Sequence, residues 1–282
     1  MDIVKKGISW LLKKNRLRIH RYMHKEYDNN PFRIEIDSSN YSIYQDLAKR
    51  ARLEIDFKFI ETIERDFGYV IDHAFIHDLA LTTQITIKSS KPLYLHGYLL
   101  YGVICNYLED SIDVDFLNIL ETGTGRGFSC LVIAKALDGA KRSGKIITLD
   151  ILPTNKPIYW NCIFDHKGRK TRFQLLKKWQ KLVDEYIIFL QGYSDVMLRQ
   201  IDLSRIHVVF LDGAHDYDTV KTELSYVKTR QSKGDVIVCD DYTEGQYPGL
   251  VDAVKQFLSA GEYSFKIYYA STGRGYLYCK KK

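Results

Sequence analysis

The sequence predicts an α/β protein built on a doubly wound, seven-stranded sheet with an antiparallel hairpin at its C-terminal end and a helical N-terminal extension. Three observations carry this. Beyond residue 93, short β-branched runs alternate five times with helical stretches, the pattern of parallel strands covered on both faces. The last two strands, 264–270 and 275–281, are separated only by "STGRG", so they must run antiparallel. Residues 1–92 lack that alternation and read as helical.

Each element has its own signal. Residues 3–24 carry Val4, Ile8, Leu11 and Leu12 on one side of a helix, with Lys and Arg around the rest. "DNNPF" at 28–32 marks a linker. Over 41–66, Tyr44, Leu47, Ala48, Ala51, Ile55, Phe59, Ile60 and Ile63 recur at helical spacing. "LALTTQITI" (79–87) is ambiguous between helix and strand, and 88–92 is a loop. The chain thus divides into a basic helix and linker (1–30), a helical accessory or lid segment (31–92) and an α/β core (93–282). In the core, helix 96–109 leads to strand "LNILE" (117–121). Helices 126–138, 171–185, 194–201, 217–231 and 249–260 alternate with strands 145–150, 186–191, 206–212 and 235–240.

Composition narrows the function classes. A 282-residue chain with 45% hydrophobic and 13% aromatic residues can build a full core. The net charge of +6 lies in residues 1–26, which hold eight basic and two acidic side chains; the rest is balanced at 33 of each sign. A neutral body argues against a nucleic-acid partner. The basic N-terminal helix suits either peripheral contact with an anionic membrane surface or packing on the protein or a second subunit. A homo-oligomer is compatible with both. "GISWLL" is too short for a secretory signal, and no segment reaches the roughly 20 apolar residues of a membrane span. Five scattered cysteines without a CxxC pair read as reduced thiols. A cytoplasmic protein, with the inner membrane surface as its one membrane option, is expected.

The chemistry begins at "LNILETGTGRGFSC", a buried strand, a turn and a helix. Gly123, Gly125 and Gly127 leave room for something that approaches the backbone. The dinucleotide fingerprint needs glycine three positions after Gly125, where Phe128 stands. Glu121 at the strand end would repel a pyrophosphate and suit an ammonium group. A ligand with an amino-acid end, a nucleoside and no phosphate fits: S-adenosylmethionine. Asp150, ending the next strand, can accept from both ribose hydroxyls, and Gly192, Tyr193 and Ser194 can border the adenine.

With these motifs, residues 93–282 resemble a class I S-adenosylmethionine-dependent methyltransferase of Rossmann-like fold. "FLDGAHDYDTV" together with "VIVCDDY" is similar to the metal-dependent O-methyltransferases acting on macrolide sugars, and more distantly to catechol O-methyltransferase. The resemblance implies methyl transfer to a hydroxyl of a sugar or other small acceptor. It implies cofactor contacts from Glu121, Gly123, Thr124, Gly125, Gly127, Ser129, Asp150, Gly192 and Ser194. His96, with Tyr94 and Tyr98, lies in a region that closes over the cofactor in similar enzymes, although aromatics there also serve as core.

Asp212 closes the fourth strand, and Asp240 and Asp241 close the fifth. Neighbouring parallel strands sit about 4.8 Å apart, so the three carboxylates can converge. A hard divalent ion such as Mg²⁺ would relieve their repulsion, and the resemblance assigns it to the same three positions. The duller alternative is two caps and a solvated loop. His215 and Asp212 are rival candidates for the base. Tyr159, Trp160 and Tyr247 suit either an acceptor platform or contact with a partner subunit. Metal-independent transfer, or a non-catalytic docking module with a vestigial cofactor site, are the competing functions.

Overall fold

A computed structural model describes residues 40–88 and 91–282. The basic helix expected over 3–24, the linker and the membrane contact through residues 1–26 lie outside the described residues. Three helices come first: α1 (Asn40–Leu53), α2 (Phe57–Phe67) and α3 (His73–Thr83). Then follow α4 (Leu95–Asp110), β1 (Leu117–Thr122), α5 (Phe128–Gly139), β2 (Gly144–Asp150), α6 (Arg172–Leu175), α7 (Gln180–Tyr186) and β3 (Ile187–Gln191). The chain continues through α8 (Ser194–Met197), β4 (Val208–Leu211), α9 (Tyr217–Lys228), β5 (Val236–Cys239), α10 (Pro248–Leu258), β6 (Tyr263–Tyr269) and β7 (Gly275–Lys281).

The seven strands form one sheet in the order β3-β2-β1-β4-β5-β7-β6. β1 to β5 are parallel, and β7 is inserted antiparallel between β5 and β6. Strand order reverses at β1, which pairs β2 on one side and β4 on the other. In such sheets a ligand crevice opens beyond the carboxyl ends at that reversal.

Period-two alternation divides the core between the two faces. Ile119, Ile146, Val208, Phe210, Val236 and Val238 face α4, α5 and the N-terminal helices. Leu120, Ile147, Val209, Leu211, Ile237 and Cys239 face α9 and α10. Residues of α1 to α3, among them Phe59, Ile63, Ile76 and Leu79, belong to the first of these clusters and are buried in it. The three helices are therefore packed onto the sheet's helical layer. Asn161 fastens them further. Its side-chain oxygen accepts from the Tyr44 hydroxyl (3.0 Å) and the Ile87 N–H (2.9 Å).

Local capping explains where the helices depart from expectation. The single helix expected over 41–66 is two. Asp56 interrupts it and caps α2 by accepting the Phe59 N–H at 3.1 Å. "LALTTQITI" resolves as the end of α3 followed by irregular chain, and Asp72 caps α3 at its start. The helix expected over 171–185 is broken into α6, a tight turn at Lys177–Trp179 and α7, with Thr171 and Gln174 forming a capping box. The helix expected over 194–201 is the single turn α8. All five cysteines are free, and four are buried. Among the described residues no helix is long and apolar enough to cross a membrane.

The C-terminus of α4 is closed by a side chain from elsewhere. Arg142 donates to the carbonyls of Leu108 (3.0 Å), Ser111 (2.8 Å) and Val114 (2.6 Å). Leu108 stands in the last turn of α4, where carbonyls lack a helical partner. Arg142→Ala is expected to cost about 1–3 kcal/mol, read as a lower urea midpoint with an unchanged slope.

Candidate active site

The glycine turn joins β1 to α5 directly over the strand reversal, and its three glycines serve different ends. A Cβ on Gly123 (φ 92°) would stand 2.1 Å from the Asp212 carbonyl oxygen, so the ends of β1 and β4 touch through bare backbone. A Cβ on Gly127 would meet Leu176 at 2.7 Å. Only Gly125 (φ 52°) faces open space, with no atom within 4 Å of an added Cβ. Two of the three glycines are thus required by the protein's own packing, and one leaves room for a ligand.

Below the turn lies a web of hydroxyls and carboxylates. Glu121 is fully buried and accepts from the Ser129 and Thr148 hydroxyls, while Thr124 and Thr148 share a hydrogen bond of 2.5 Å. Burial pushes the Glu121 carboxyl up to about 7, against the pull of the two hydroxyls. Asp150 accepts from the Gly125 N–H (2.5 Å) and the Leu152 N–H (2.6 Å). The carboxylates expected to meet an ammonium and a ribose thus also hold the turn in shape. Arg172, fully buried, donates to the Gly125 carbonyl (3.2 Å) and the Thr154 hydroxyl (2.7 Å). It is the nearby cation that burial would otherwise forbid, and it faces Asp150 and Glu121 electrostatically.

Gly192 and Ser194 follow β3. The Gly192 N–H donates to the Asp150 carbonyl (2.8 Å), which ties the third strand's end to the second's. The Ser194 hydroxyl lies toward Glu223 on α9, a carboxylate with no exposed surface. Among the described residues, neither Glu223 oxygen has a partner at hydrogen-bond geometry. Burial pushes this carboxyl up to about 7, with the Ser194 and Thr122 hydroxyls acting weakly against it.

The acidic cluster sits one strand over. Asp240 is buried, and both its oxygens are taken by Arg274 from the turn before β7: Nε to Oδ1 at 2.9 Å and Nη2 to Oδ2 at 2.6 Å. Nη2 also stands 3.1 Å from Asp241 Oδ1. Burial works to raise the Asp240 carboxyl, but the guanidinium outweighs it and holds the group below its usual range. Asp212, half-buried, is pushed well above that range by burial and then by Asp240, with Arg274 acting against. Asp241 takes a left-handed backbone (φ 57°), which an aspartate tolerates better than most residues. Its Oδ2 is 3.1 Å from His215 Nε2. That nitrogen is enclosed and has no partner at hydrogen-bond geometry among the described residues, and its ring packs on Tyr247 with centroids 4.2 Å apart.

Three carboxylates were expected to share an opening. Instead Asp240 faces Arg274, and Asp212, Asp241 and His215 bring one ligand atom each to within 4.8 Å of one another. An enclosed imidazole nitrogen without a partner beside two carboxylates fits a divalent cation. The carboxylates suit Mg²⁺ or Mn²⁺, and the imidazole favours the softer ions. Sequence reasoning missed Arg274, whose only signal was a basic residue in a hairpin turn. It also missed Lys88, which burial and then Arg274 and Arg126 hold below the usual lysine range, with Asp241 and Asp212 acting the other way.

His96 packs between Phe128 (4.9 Å, edge-on) and Phe210 (6.0 Å, stacked), with Nδ1 3.8 Å from Asp240. Burial pulls it down to about 4 despite that carboxylate, so it is neutral at pH 7. Its nearest charged neighbour is Asp240 of the acidic cluster. Tyr94 and Tyr98 are core residues whose hydroxyls meet His77 and His73, each at 2.8 Å. Trp160 is fully buried and donates to the Lys170 carbonyl (2.7 Å), so it is no acceptor platform. Tyr159 and Tyr247 remain half-exposed.

Residues 120–242 match a family model described as a methyltransferase domain. Similar solved structures include an O-methyltransferase from Bacillus cereus in complex with SAH. It is 16% identical, with a TM-score of 0.53 over 79% of this chain and 100% of that one. The O-methyltransferase TomG from Streptomyces achromogenes, involved in tomaymycin synthesis and solved with SAM, is 17% identical (TM-score 0.51; 76% and 92% covered). The O-methyltransferase NovP is 17% identical (TM-score 0.51; 86% and 99% covered). At such identities the likeness establishes the fold. Among curated proteins, none matches the chain in sequence.

Two outcomes follow from the buried charges. Arg274→Ala leaves Asp240 buried and unpaired, and is expected to cost about 3–5 kcal/mol; Arg274→Ala combined with Asp240→Asn should recover most of it in the same urea titration. Glu223 has a raised folded pKa, so its contribution is present below its unfolded value near 4.5 and lost as pH rises through about 7. Glu223→Gln should therefore gain on the wild type by roughly 1–3 kcal/mol between pH 4.5 and pH 8, measured as paired unfolding curves.

Proposed function

We propose that this methyltransferase-domain chain, a methyltransferase of class I fold, transfers a methyl group from S-adenosylmethionine to a hydroxyl of a small acceptor such as a sugar. The observation that carries the reading is the contact of Gly123 with Asp212. It brings the open face of the glycine turn and the acidic cluster onto one edge of the sheet, so that a donor at one is beside an acceptor at the other. When bound, the cofactor supplies a methyl on a sulfonium sulfur, and a divalent cation supplies a positive centre that lowers the pKa of a coordinated hydroxyl.

The chain's own residues do the rest. Gly125 leaves its backbone open to close approach, and Asp150 and Arg172 fix that backbone through the Gly125 N–H and carbonyl. Asp212, Asp241 and His215 would hold the cation. Asp212, when it is not a cation ligand, is one candidate to take the acceptor's proton. His215 Nε2 is the rival acceptor of that proton when it is not a ligand. Fixing the two reactants at one edge supplies most of the acceleration in an in-line displacement.

Arg274 favours a second reading, in which transfer needs no metal. Its guanidinium already neutralises one of the three carboxylates and contacts another. The two readings part on chelation. Methyl transfer from labelled S-adenosylmethionine to a catechol probe should fall about 100-fold with EDTA and return with Mg²⁺ or Mn²⁺. Full activity after chelation would favour the metal-free route. Calorimetry on Gly125→Asn tests the cofactor site itself. Asn tolerates the left-handed backbone and fills the open space, so S-adenosylmethionine affinity should drop by about 10-fold or more. Unchanged affinity would place the cofactor elsewhere.

A further inference from the structure

Glu223 on α9 has no exposed surface, and among the described residues neither of its oxygens meets a partner at hydrogen-bond geometry. A buried carboxylate in that state is costly unless it holds a proton or is engaged by a neighbour. Its surroundings place it beneath the crevice. Thr122 ends β1 immediately before Gly123, and by strand alternation its side chain shares the face of Leu120, the face covered by α9. The Thr122 hydroxyl is likewise buried without a partner among the described residues. Ser194 opens α8 directly after the turn at Gly192, whose N–H donates to the Asp150 carbonyl. The hydroxyls of Ser194 and Thr122 both act on the Glu223 carboxyl. A single side chain therefore lies between the start of the glycine turn and the turn that follows β3.

Ser194 differs from Thr122 and Glu223 in being partly exposed. A hydroxyl has one proton to donate and two lone pairs with which to accept. Opposite a neutral carboxyl, Ser194 Oγ can accept the acid's O–H, and its own proton is free to face the crevice. Opposite a carboxylate, that proton turns inward to the buried anion. The protonation of Glu223 thus decides which way Ser194 donates. Burial, and behind it Asp216 before α9 and Asp195 on α8, raise the Glu223 carboxyl to about 7 against the two hydroxyls. The Cys239 thiol on β5, which also feels Glu223, is held well above its usual range by its own burial and stays neutral.

We propose that Glu223 is a positioning residue for the nucleoside end of the cofactor: as the protonated acid it donates to Ser194 Oγ, and the Ser194 hydroxyl then presents its proton to an acceptor nitrogen of the adenine. The inference rests on the methyl-transfer reading for the identity of the ligand. Binding then favours the protonated acid, so its contribution to affinity is full below pH 7 and is lost as pH rises through that value. Glu121, also raised to about 7, works with the opposite sign, because its carboxylate is the form that suits the ammonium.

The test is calorimetric titration of S-adenosylhomocysteine into the full chain at pH 6 and pH 8, for the wild type, Glu223→Gln and Ser194→Ala. Gln keeps the shape, stays neutral and offers an amide N–H in place of the acid's O–H. Comparing variants at one pH cancels the contribution of Glu121. The ratio of the wild-type to the Glu223→Gln dissociation constant should rise about fivefold from pH 6 to pH 8, the worth of one neutral hydrogen bond. Ser194→Ala should weaken binding about fivefold at pH 6, where the hydroxyl faces the ligand, and by less than about twofold at pH 8. Ser194 is partly exposed, so this second variant reads the link even if Glu223→Gln does not fold. A wild-type to Glu223→Gln ratio equal at both pH values, or a Ser194→Ala loss of the same size at both, would overturn the proposal and leave the methyl-transfer reading standing. Failure of S-adenosylhomocysteine to bind the wild type at either pH would sink both.

Discussion

Arg274 reaches from the hairpin turn to the carboxyl edge of the sheet and takes both oxygens of Asp240. Without it, the end of β5 would hold a buried, unpaired anion beside two more carboxylates, at a cost that exceeds most single interactions in a protein of this size. The arrangement around it follows. Asp240, fixed to the turn, is withdrawn from the opening. Asp241 bends into a left-handed conformation and faces His215. Asp212 is left as the carboxylate whose charge is least compensated. The antiparallel β7, inserted between β5 and β6, delivers the guanidinium.

The same economy holds at the glycine turn. Glu121, Asp150 and Arg172 form a buried set in which each charge is answered by a hydroxyl, a backbone N–H or an opposite charge. Such sets make a loop rigid before any ligand arrives. A preformed loop spends less binding energy on ordering. Glu223 stands apart as a carboxylate that nothing among the described residues engages at hydrogen-bond geometry.

The fold was readable because its signals are local. The β-branched runs, the glycine turn and the short "STGRG" link each fix a strand, a crossover or a hairpin with no knowledge of distant contacts. The three aspartates could be placed on one edge for the same reason. Their partners could not. Arg274 is 34 residues from Asp240, and Lys88 lies across the fold in a loop. No spacing rule connects them. Trp160 misled in the other direction: an aromatic in a polar loop looks exposed, but its indole N–H finds the Lys170 carbonyl and the ring is buried. The helix break at Asp56 was hidden by apolar spacing that continues across it.

Asp56 does two jobs at once. One oxygen starts α2 through Phe59, and the other accepts the Ser271 N–H in the turn that bears Arg274. A single carboxylate therefore makes the seating of the N-terminal helices and the stance of the hairpin turn parts of one mechanical linkage. Prising α2 from its seat would slacken the arm that steadies the sheet's most crowded anions.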